Sequence, residues 1–152
     1  MTKSKTFHGS DGTPYLTRRE LLRVGEYRVY LHRFHRADGD PEFHDHPWSF
    51  VTLILRGGYV EEELTFSGMV RRAMRPGCIG FRRVGRVHRI AELLGKGETW
   101  TVIIAGPKRR DWSFWRPVHD GLQVIPWRDF IGGKELEANE PERSTGARKG
   151  WP

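Results

Sequence analysis

The chain has 152 residues, 37% of them hydrophobic, which is enough for one ordinary domain with a buried core. Its single cysteine, Cys78, excludes an intramolecular disulfide framework, and no apolar run approaches the roughly 20 residues that span a bilayer. The formal net charge of +7 favours anionic partners, either nucleic acid or a small molecule that carries phosphate or carboxylate. Because residues 1–12 also lack the apolar region of a signal peptide, we expect a cytoplasmic location.

In the first third of the chain, the sequence predicts a polar N-terminal segment followed by strands. We expect residues 1–13 to be a flexible N-terminus. Residues 14–24 are ambiguous, because a helix capping box at 17–20 competes with an edge strand, and we favour the strand. Aromatic and β-branched residues predict a firmer strand at Tyr27–Phe34. The Asp, Gly and Pro residues of 37–41 predict a turn after it.

Short strands also dominate the middle of the chain. The apolar run Ser49–Leu55 predicts a strand buried on both faces, which Gly57-Gly58 ends. Residues 59–66 and 69–74 should form a hairpin, because Ser67-Gly68 is a two-residue turn signal. Three more strands are predicted, at 79–82, 88–94 and 98–104. Short strands at this spacing, separated by glycine and proline turns, predict an all-β barrel or sandwich.

The chain changes character after Gly106. Trp112, Phe114 and Trp115 follow a basic turn, and we expect these rings to cover an open end of the barrel. Residues 124–130 read as a short strand that leads into a turn of helix. Residues 134–152 are charged and predicted to be a disordered tail. The predicted domain is therefore 14–133.

Two histidines are separated by a single residue in the pattern Phe43-His44-Asp45-His46. Strand side chains alternate, so His44 and His46 should share one face, and His88 lies in a second predicted strand. Neutral imidazole is the commonest transition-metal ligand, which makes the pair a candidate metal site. The alternative is a pair of loop histidines that only hydrogen-bond near Asp45, and the spacing alone leaves both interpretations open.

The glycines and histidines of this region resemble the two motifs of the cupin superfamily. His44 and His46 take the histidine positions of the first motif, and Gly57 or Gly58 takes its closing glycine position. Gly39 would be the opening glycine, but it lies one residue closer to His44 than the motif requires. Gly77, Gly85 and His88 are in register with the second motif. The chain departs from the family at three further positions: Phe50 or Val51 fills the glutamate slot, Arg83 replaces the proline, and Glu92 replaces the asparagine.

The resemblance implies a double-stranded β-helix, the cupin or jelly-roll barrel, with a metal held by His44, His46 and His88. Without the usual acidic ligand this would be a three-histidine site, as in the thiol dioxygenase branch of the superfamily. Iron(II) is the first expectation for the metal, and zinc, manganese and nickel remain open. Glu92 lies four residues after His88, so alternation puts both on one face. Glu92 is therefore a candidate metal ligand, or it is an exposed glutamate at a strand end.

The same parity argument selects residues for substrate binding. Arg86 shares the face of His88, and an arginine that points inwards can bind a carboxylate or phosphate through two hydrogen bonds. Arg33 is a second candidate anchor, depending on which face of its strand is inward. His32 and Tyr30 are alternatives for the pocket wall.

These residues favour a metal-dependent cupin enzyme that acts on a small anionic molecule, with an iron(II) oxygenase as the first candidate. The alternative is a non-catalytic cupin that senses or sequesters an anionic ligand such as a nucleotide. A nucleic-acid partner is disfavoured, because the basic residues form no single stripe. The family resemblance also implies a homodimer formed through edge strands.

Overall fold

The computed structural model describes residues 4–8, 12–38 and 42–129, and these form twelve β-strands in two six-stranded sheets. The strands are β1 (Ser4–His8), β2 (Pro14–Val24), β3 (Tyr27–Phe34), β4 (Phe43–His44), β5 (Phe50–Arg56), β6 (Tyr59–Thr65), β7 (Gly68–Met74), β8 (Ile79–Arg82), β9 (His88–Leu93), β10 (Thr99–Ala105), β11 (Ser113–Val118) and β12 (Gly121–Pro126).

The two sheets face each other across one interior. The first sheet has the order β1-β2-β3-β10-β5-β8, and the second has the order β12-β11-β4-β9-β6-β7. All the strand pairs are antiparallel, and the chain passes repeatedly from one sheet to the other. This arrangement is an all-β jelly-roll barrel, which confirms the predicted fold class.

Apolar residues on the inner faces fill the barrel as two clusters. The larger one contains Phe34, Ile54, Tyr59, Met74 and Ile90, and the smaller one contains Phe50, Ile103 and Ala105. The ring of His46 lies 4.9 Å from that of Phe50, centroid to centroid. The smaller cluster therefore packs against the histidines from inside the barrel.

The prediction that Ser49–Leu55 is buried on both faces is wrong. Burial alternates along β5, where Phe50, Thr52 and Ile54 are buried and Leu55 is 47% exposed. An antiparallel sheet needs to cover only one face, so the outer side chains of β5 face outwards without another layer over them. Ile79, Phe81 and Ile104 are exposed on the same outer face. The expected homodimer stays a prediction.

The ends of the described chain add strands to the predicted set. Ser4–His8, within the segment expected to be flexible, pairs with β2, and residues 14–24 form the strand that we favoured. After β12 a short helical turn covers residues 127–129, and the predicted tail at 134–152 lies outside the described residues. In the parts of the chain that the structure describes, no helix has the length and apolar character needed to cross a membrane.

Two glycines carry the chain from the first sheet to the second between β5 and β6. Gly57 and Gly58 have φ of 78° and 122°, a region that favours glycine. A Cβ on Gly58 would lie 2.6 Å from the Met74 carbonyl oxygen. A Cβ on Gly57 would lie 2.7 Å from the Thr99 hydroxyl oxygen, and this hydroxyl donates to the Gly58 carbonyl (2.7 Å) and accepts from the Gly58 N–H (3.0 Å). The crossing therefore requires the glycine pair.

Candidate metal centre

Three histidines converge at one end of the barrel, where the short strand β4 lies between β9 and β11. His44 is the direct cross-strand partner of His88, and His46 follows two residues later. The three ring centroids are 5.0 Å (His44–His46), 4.9 Å (His44–His88) and 5.0 Å (His46–His88) apart, nearly an equilateral triangle. One nitrogen from each ring lies within 4.8 Å of the other two, and the Nε2 atoms of His46 and His88 are 2.9 Å apart. The structure thus brings together the three predicted ligands.

Asp45, between the first two histidines, fixes their strand in place. Its carboxylate is fully buried and accepts hydrogen bonds from the Ser113 N–H (2.8 Å) and the Trp115 Nε1–H (3.2 Å). The Arg110 guanidinium completes the contact at 3.0 Å. These bonds connect the end of β4 to β11, so the role of Asp45 is structural.

The aromatic residues predicted to cover the barrel lie at this end. Phe114 is opposite His44 across the β4–β11 pair, with ring centroids 6.4 Å apart. Trp112 packs 5.1 Å from Phe114 and stacks at 5.9 Å on Trp127. The rings shield one side of the histidine cluster from water.

Glu61 holds His88 in one orientation. A Glu61 carboxylate oxygen lies 2.5 Å from His88 Nδ1, and the same carboxylate forms a buried ion pair with Arg82. Burial alone would raise the pKa of Glu61, but the hydrogen bonds from His88 and Arg82 outweigh it and hold that pKa at about 2. An ionised carboxylate only accepts, so His88 Nδ1 carries a proton, and Nε2 is the ring atom directed towards His46.

The other two histidines are neutral at physiological pH. Burial is the main cause that lowers the pKa of His44 to about 4, although the nearby carboxylate of Asp38 opposes the shift. Burial, and then the neighbouring histidines, lower the pKa of His46 well below its usual 6.5. Neutral imidazoles with convergent lone pairs are the form that binds a divalent transition metal. The residues therefore fit such an ion.

Glu63 occupies the same inner face as Glu61, two residues along β6. It forms ion pairs with Arg72 (2.6 Å) and with Arg86, and its own side chain is almost completely buried. The parity argument placed Arg86 correctly beside His88, since Glu63 is the cross-strand partner of His88. Because Glu63 already neutralises it, Arg86 is not the free anion anchor that we predicted.

Glu92 lies away from the histidines, which contradicts its candidacy as a ligand. The register of β6 and β9 shifts by one residue: Glu61 is opposite Ile90, whereas Val60 is opposite Glu92. This β-bulge at Ala91 reverses the alternation that we assumed. Glu92 is therefore on the outer face, 54% exposed, and pairs with Arg71 at 2.7 Å. The same shift turns Leu93 towards the larger core cluster.

The remaining predicted pocket residues divide between the two faces of β3. Arg33 is on the outer face, where it pairs with Glu98 at 2.6 Å and stacks over Trp100 at 5.4 Å, so it cannot reach the histidines. Its neighbour His32 alternates with Phe34 of the core and is inward, as is Tyr30, whose ring is 6.0 Å from that of His32. These two residues form part of the inner wall, and their role in substrate binding stays a prediction.

Sequence reasoning missed Glu61 and Arg18. Three consecutive glutamates at 61–63 followed by the arginine-rich segment 82–89 were the available signal, because alternation must place two of those glutamates inside. Arg18 gave no such signal, since the secondary structure of its segment was itself ambiguous. Arg18 lies directly opposite His32 on β3 and so belongs to the inner wall.

Comparisons with known proteins bear on the fold. Neither a protein-family model nor a curated protein matches the chain. Among solved structures, the chain is similar to Fe(II)-HppE with the alternative substrate (S)-1-HPP: the TM-score is 0.57 at 12% identity, over 68% of this chain and 55% of that one. It is also similar to a putative mannose-6-phosphate isomerase from Ralstonia eutropha JMP134, with a TM-score of 0.56 at 20% identity, over 63% and 88%.

A cupin domain from Bordetella pertussis tohama i also matches, with a TM-score of 0.45 at 19% identity over 60% of this chain and 93% of that one. The chain spans about half the length of HppE. At these identities the likeness concerns the fold.

Proposed function

From the premise that this chain has the cupin fold, we propose that it is a metal-dependent cupin enzyme that acts on a small anionic molecule. His44, His46 and His88 would hold the ion. The observation that carries the proposal is the convergence of these rings, whose ligand nitrogens lie within 4.8 Å of one another at one end of the barrel.

The metal that we propose first is iron(II), and zinc, manganese and nickel are the alternatives. Support comes from HppE, a protein of similar fold that contains Fe(II). Three neutral imidazoles leave the ion its full charge and open positions, so a bound metal would act as a Lewis acid or would activate O₂.

The residues of the chain have defined roles around that ion. Glu61 keeps the proton of His88 on Nδ1, and Arg82 keeps Glu61 ionised. Asp45 fixes the segment at the end of β4 that carries the other two ligands. The rings of Phe114 and Phe50 exclude water from two sides of the cluster. The arrangement is preorganised, because each ligand is supported before any ion binds.

Metal analysis of freshly purified protein tests the proposal. We expect about one ion per chain after anaerobic purification of the wild type and only traces in His44→Ala. His119→Ala, a substitution in the exposed turn after β11, is the matched control and should keep the metal. Substrate-dependent oxygen uptake by the iron form would support the oxygenase assignment. Equal metal contents in wild type and His44→Ala would refute the site.

A second candidate function, non-catalytic binding of an anionic ligand, has one observation in its favour. Glu61 and Glu63 are the carboxylates next to His88, and both are engaged in ion pairs with arginines. A general base needs a carboxylate that is free to take a proton. A protein that purifies without metal but with a stoichiometric anionic ligand would favour this alternative.

Nucleic acid is the least favoured partner. Four arginines form ion pairs with glutamates of the second sheet: Arg71, Arg72, Arg86 and Arg89. A basic surface that is neutralised in this way gives little of the salt-dependent attraction that phosphate backbones require.

A further inference from the structure

The arginines that point into the barrel fall into two groups. Arg72 and Arg86, on or beside the second sheet, and Arg82, on β8 at the far edge of the first sheet from β1, each form an ion pair with Glu61 or Glu63. Arg18, on the first sheet, has no carboxylate partner among the described residues. A half-buried guanidinium without a counter-charge is costly, which calls for an explanation.

Arg18 is held in a fixed position. Its guanidinium carbon lies 4.9 Å from the ring centroid of Phe7 and 4.9 Å from that of Tyr30, so it stacks on two aromatic rings. Stacking through the π-face leaves the N–H edge of the guanidinium available for an acceptor in the ring plane. Arg18 shares the inward face with Leu16, which packs on the larger core cluster, whereas its neighbour Arg19 is exposed.

Two further polar groups continue the row that Arg18 begins. Arg18, His32 and Thr101 are cross-strand partners on β2, β3 and β10. His32 Nε2 and the Thr101 hydroxyl are buried and have no hydrogen-bond partner among the described residues. Unsatisfied buried groups are rare in folded proteins and frequently mark a missing ligand or water.

The row lies next to the histidine cluster. The ring of Tyr30, 6.0 Å from that of His32, packs on the smaller core cluster, and the Phe50 ring of that cluster lies 4.9 Å from the ring of His46. Burial and the Arg18 charge lower the pKa of His32 to about 3, so His32 is neutral and can donate a hydrogen bond from one nitrogen. Arg18 and His32 therefore lie on an inner wall that continues through Tyr30 and Phe50 to His46.

We propose that Arg18, His32 and Thr101 form an oxyanion-binding subsite on the inner wall of the first sheet. It takes the phosphate or carboxylate group of a small molecule whose other end reaches the histidine cluster. The guanidinium supplies charge-assisted hydrogen bonds, and the imidazole and hydroxyl supply neutral ones. The subsite rests on the proposed function only for the identity of the neighbouring centre.

Calorimetric titration with inorganic phosphate, and separately with malonate, tests the subsite. The titrations use the protein as purified and four variants: Arg18→Gln, Arg18→Lys, Arg19→Gln and His44→Ala. We expect at least one of the two anions to bind the wild type, and Arg18→Gln to weaken that binding by at least about tenfold. Arg18→Lys should keep part of the affinity, because it retains the charge but loses the fork. Arg19→Gln, one residue away on the outer face, should change it by less than about twofold.

The outcomes separate the subsite from the metal centre. Anion binding that survives in His44→Ala and disappears in Arg18→Gln would support the subsite even if the protein contained no metal. Metal content that is unchanged in Arg18→Gln would show that the histidine cluster is intact. Equal binding by wild type and Arg18→Gln, or no binding of either anion to the wild type, would overturn the proposal. Which anion binds more tightly identifies the headgroup, and unfolding midpoints of Arg18→Gln and Arg18→Lys monitor folding.

Discussion

The two inner walls of this barrel differ in how their polar groups are compensated. On the wall of the second sheet, Glu61 binds both Arg82 and His88, and Glu63 binds Arg72 and Arg86. On the wall of the first sheet, the Arg18 guanidinium and the buried polar atoms of His32 and Thr101 lack such partners among the described residues. The polar groups of the second-sheet wall are therefore paired, whereas these groups of the first-sheet wall have no such partners among the described residues.

The difference separates two tasks that a binding site must perform. Ligands for a metal must be held rigidly in a single orientation, and a fully satisfied hydrogen-bond network does this. Groups that receive a substrate must keep donors unsatisfied until the substrate arrives, which lowers stability at that place. The second-sheet wall fits the first task, and the first-sheet wall fits the second.

The largest expected effect comes from breaking the second-sheet wall at Glu61. Glu61→Gln leaves Arg82 buried without its counter-charge, which should cost about 3–5 kcal/mol of unfolding free energy. It also removes the acceptor that orients His88, so metal affinity should fall roughly 10- to 100-fold. Urea unfolding and competitive metal titration measure the two effects.

The matched control for this prediction is the next residue along the strand. Glu62 points to the outer face and pairs with Arg71 and Arg89. Glu62→Gln should leave metal affinity unchanged and cost less stability. A double variant, Glu61→Leu with Arg82→Leu, should recover stability but not metal affinity. If Glu61→Gln bound metal as tightly as Glu62→Gln, His88 would not depend on its carboxylate for orientation.

A pH titration should separate the buried histidines of both walls from Glu61, with a smaller effect. Burial lowers the pKa of His32 to about 3 and that of His44 to about 4, whereas both titrate near 6.5 in the unfolded chain. The unfolded state then binds more protons as the pH falls below 6.5, so each residue removes stability from there down to its folded pKa. The loss should be on the order of 2 kcal/mol per residue at pH 4.5.

Glu61 behaves in the opposite sense. Its folded pKa of about 2 is below the unfolded value, so its stabilisation is present above about pH 4.5 and is lost as the pH falls towards 2. Urea unfolding of the protein without added metal, at pH 7, 4.5 and 3, resolves the two windows. His32→Asn should flatten the upper window only. A stability that stayed constant from pH 7 to 4.5 would contradict the neutral, buried state of His32 and His44.

The smallest effect is expected on the outer face of the second sheet. Glu92→Ala removes an exposed ion pair with Arg71, which is worth less than about 1 kcal/mol. Metal content and affinity should match the wild type, as measured by elemental analysis and titration. A loss of metal would mean that Glu92 reaches the histidine cluster despite the bulge in β9.

Local periodicity was sufficient to predict most of the strands between β2 and β10, whereas β1 and β11 were missed, and the resemblance to the cupin motifs supplied the set of three histidines. His44 and His46 share a face because strands alternate, and His88 fits a motif whose spacing is fixed by the turns before it. The failures at Glu92 and Arg86 depend on contacts between strands that are distant in sequence. Glu92 was misplaced by the bulge at Ala91, which is determined by the register with β6. Arg86 was placed on the right face, but its neutralisation by Glu63 follows from the packing of a strand some twenty residues away.

The position of β4 between β9 and β11 also has a consequence for the order of events during synthesis. His46 precedes its neighbour His88 by 42 residues, and Asp45 precedes its partner Ser113 by 68. Contacts between residues that are distant in sequence form late, because the intervening chain must first be closed into a loop. The ribosome therefore releases His44 and His46 long before the strands that hold them. The histidine cluster reaches its final arrangement only when β11 has emerged, so an ion bound there would be acquired by the folded domain.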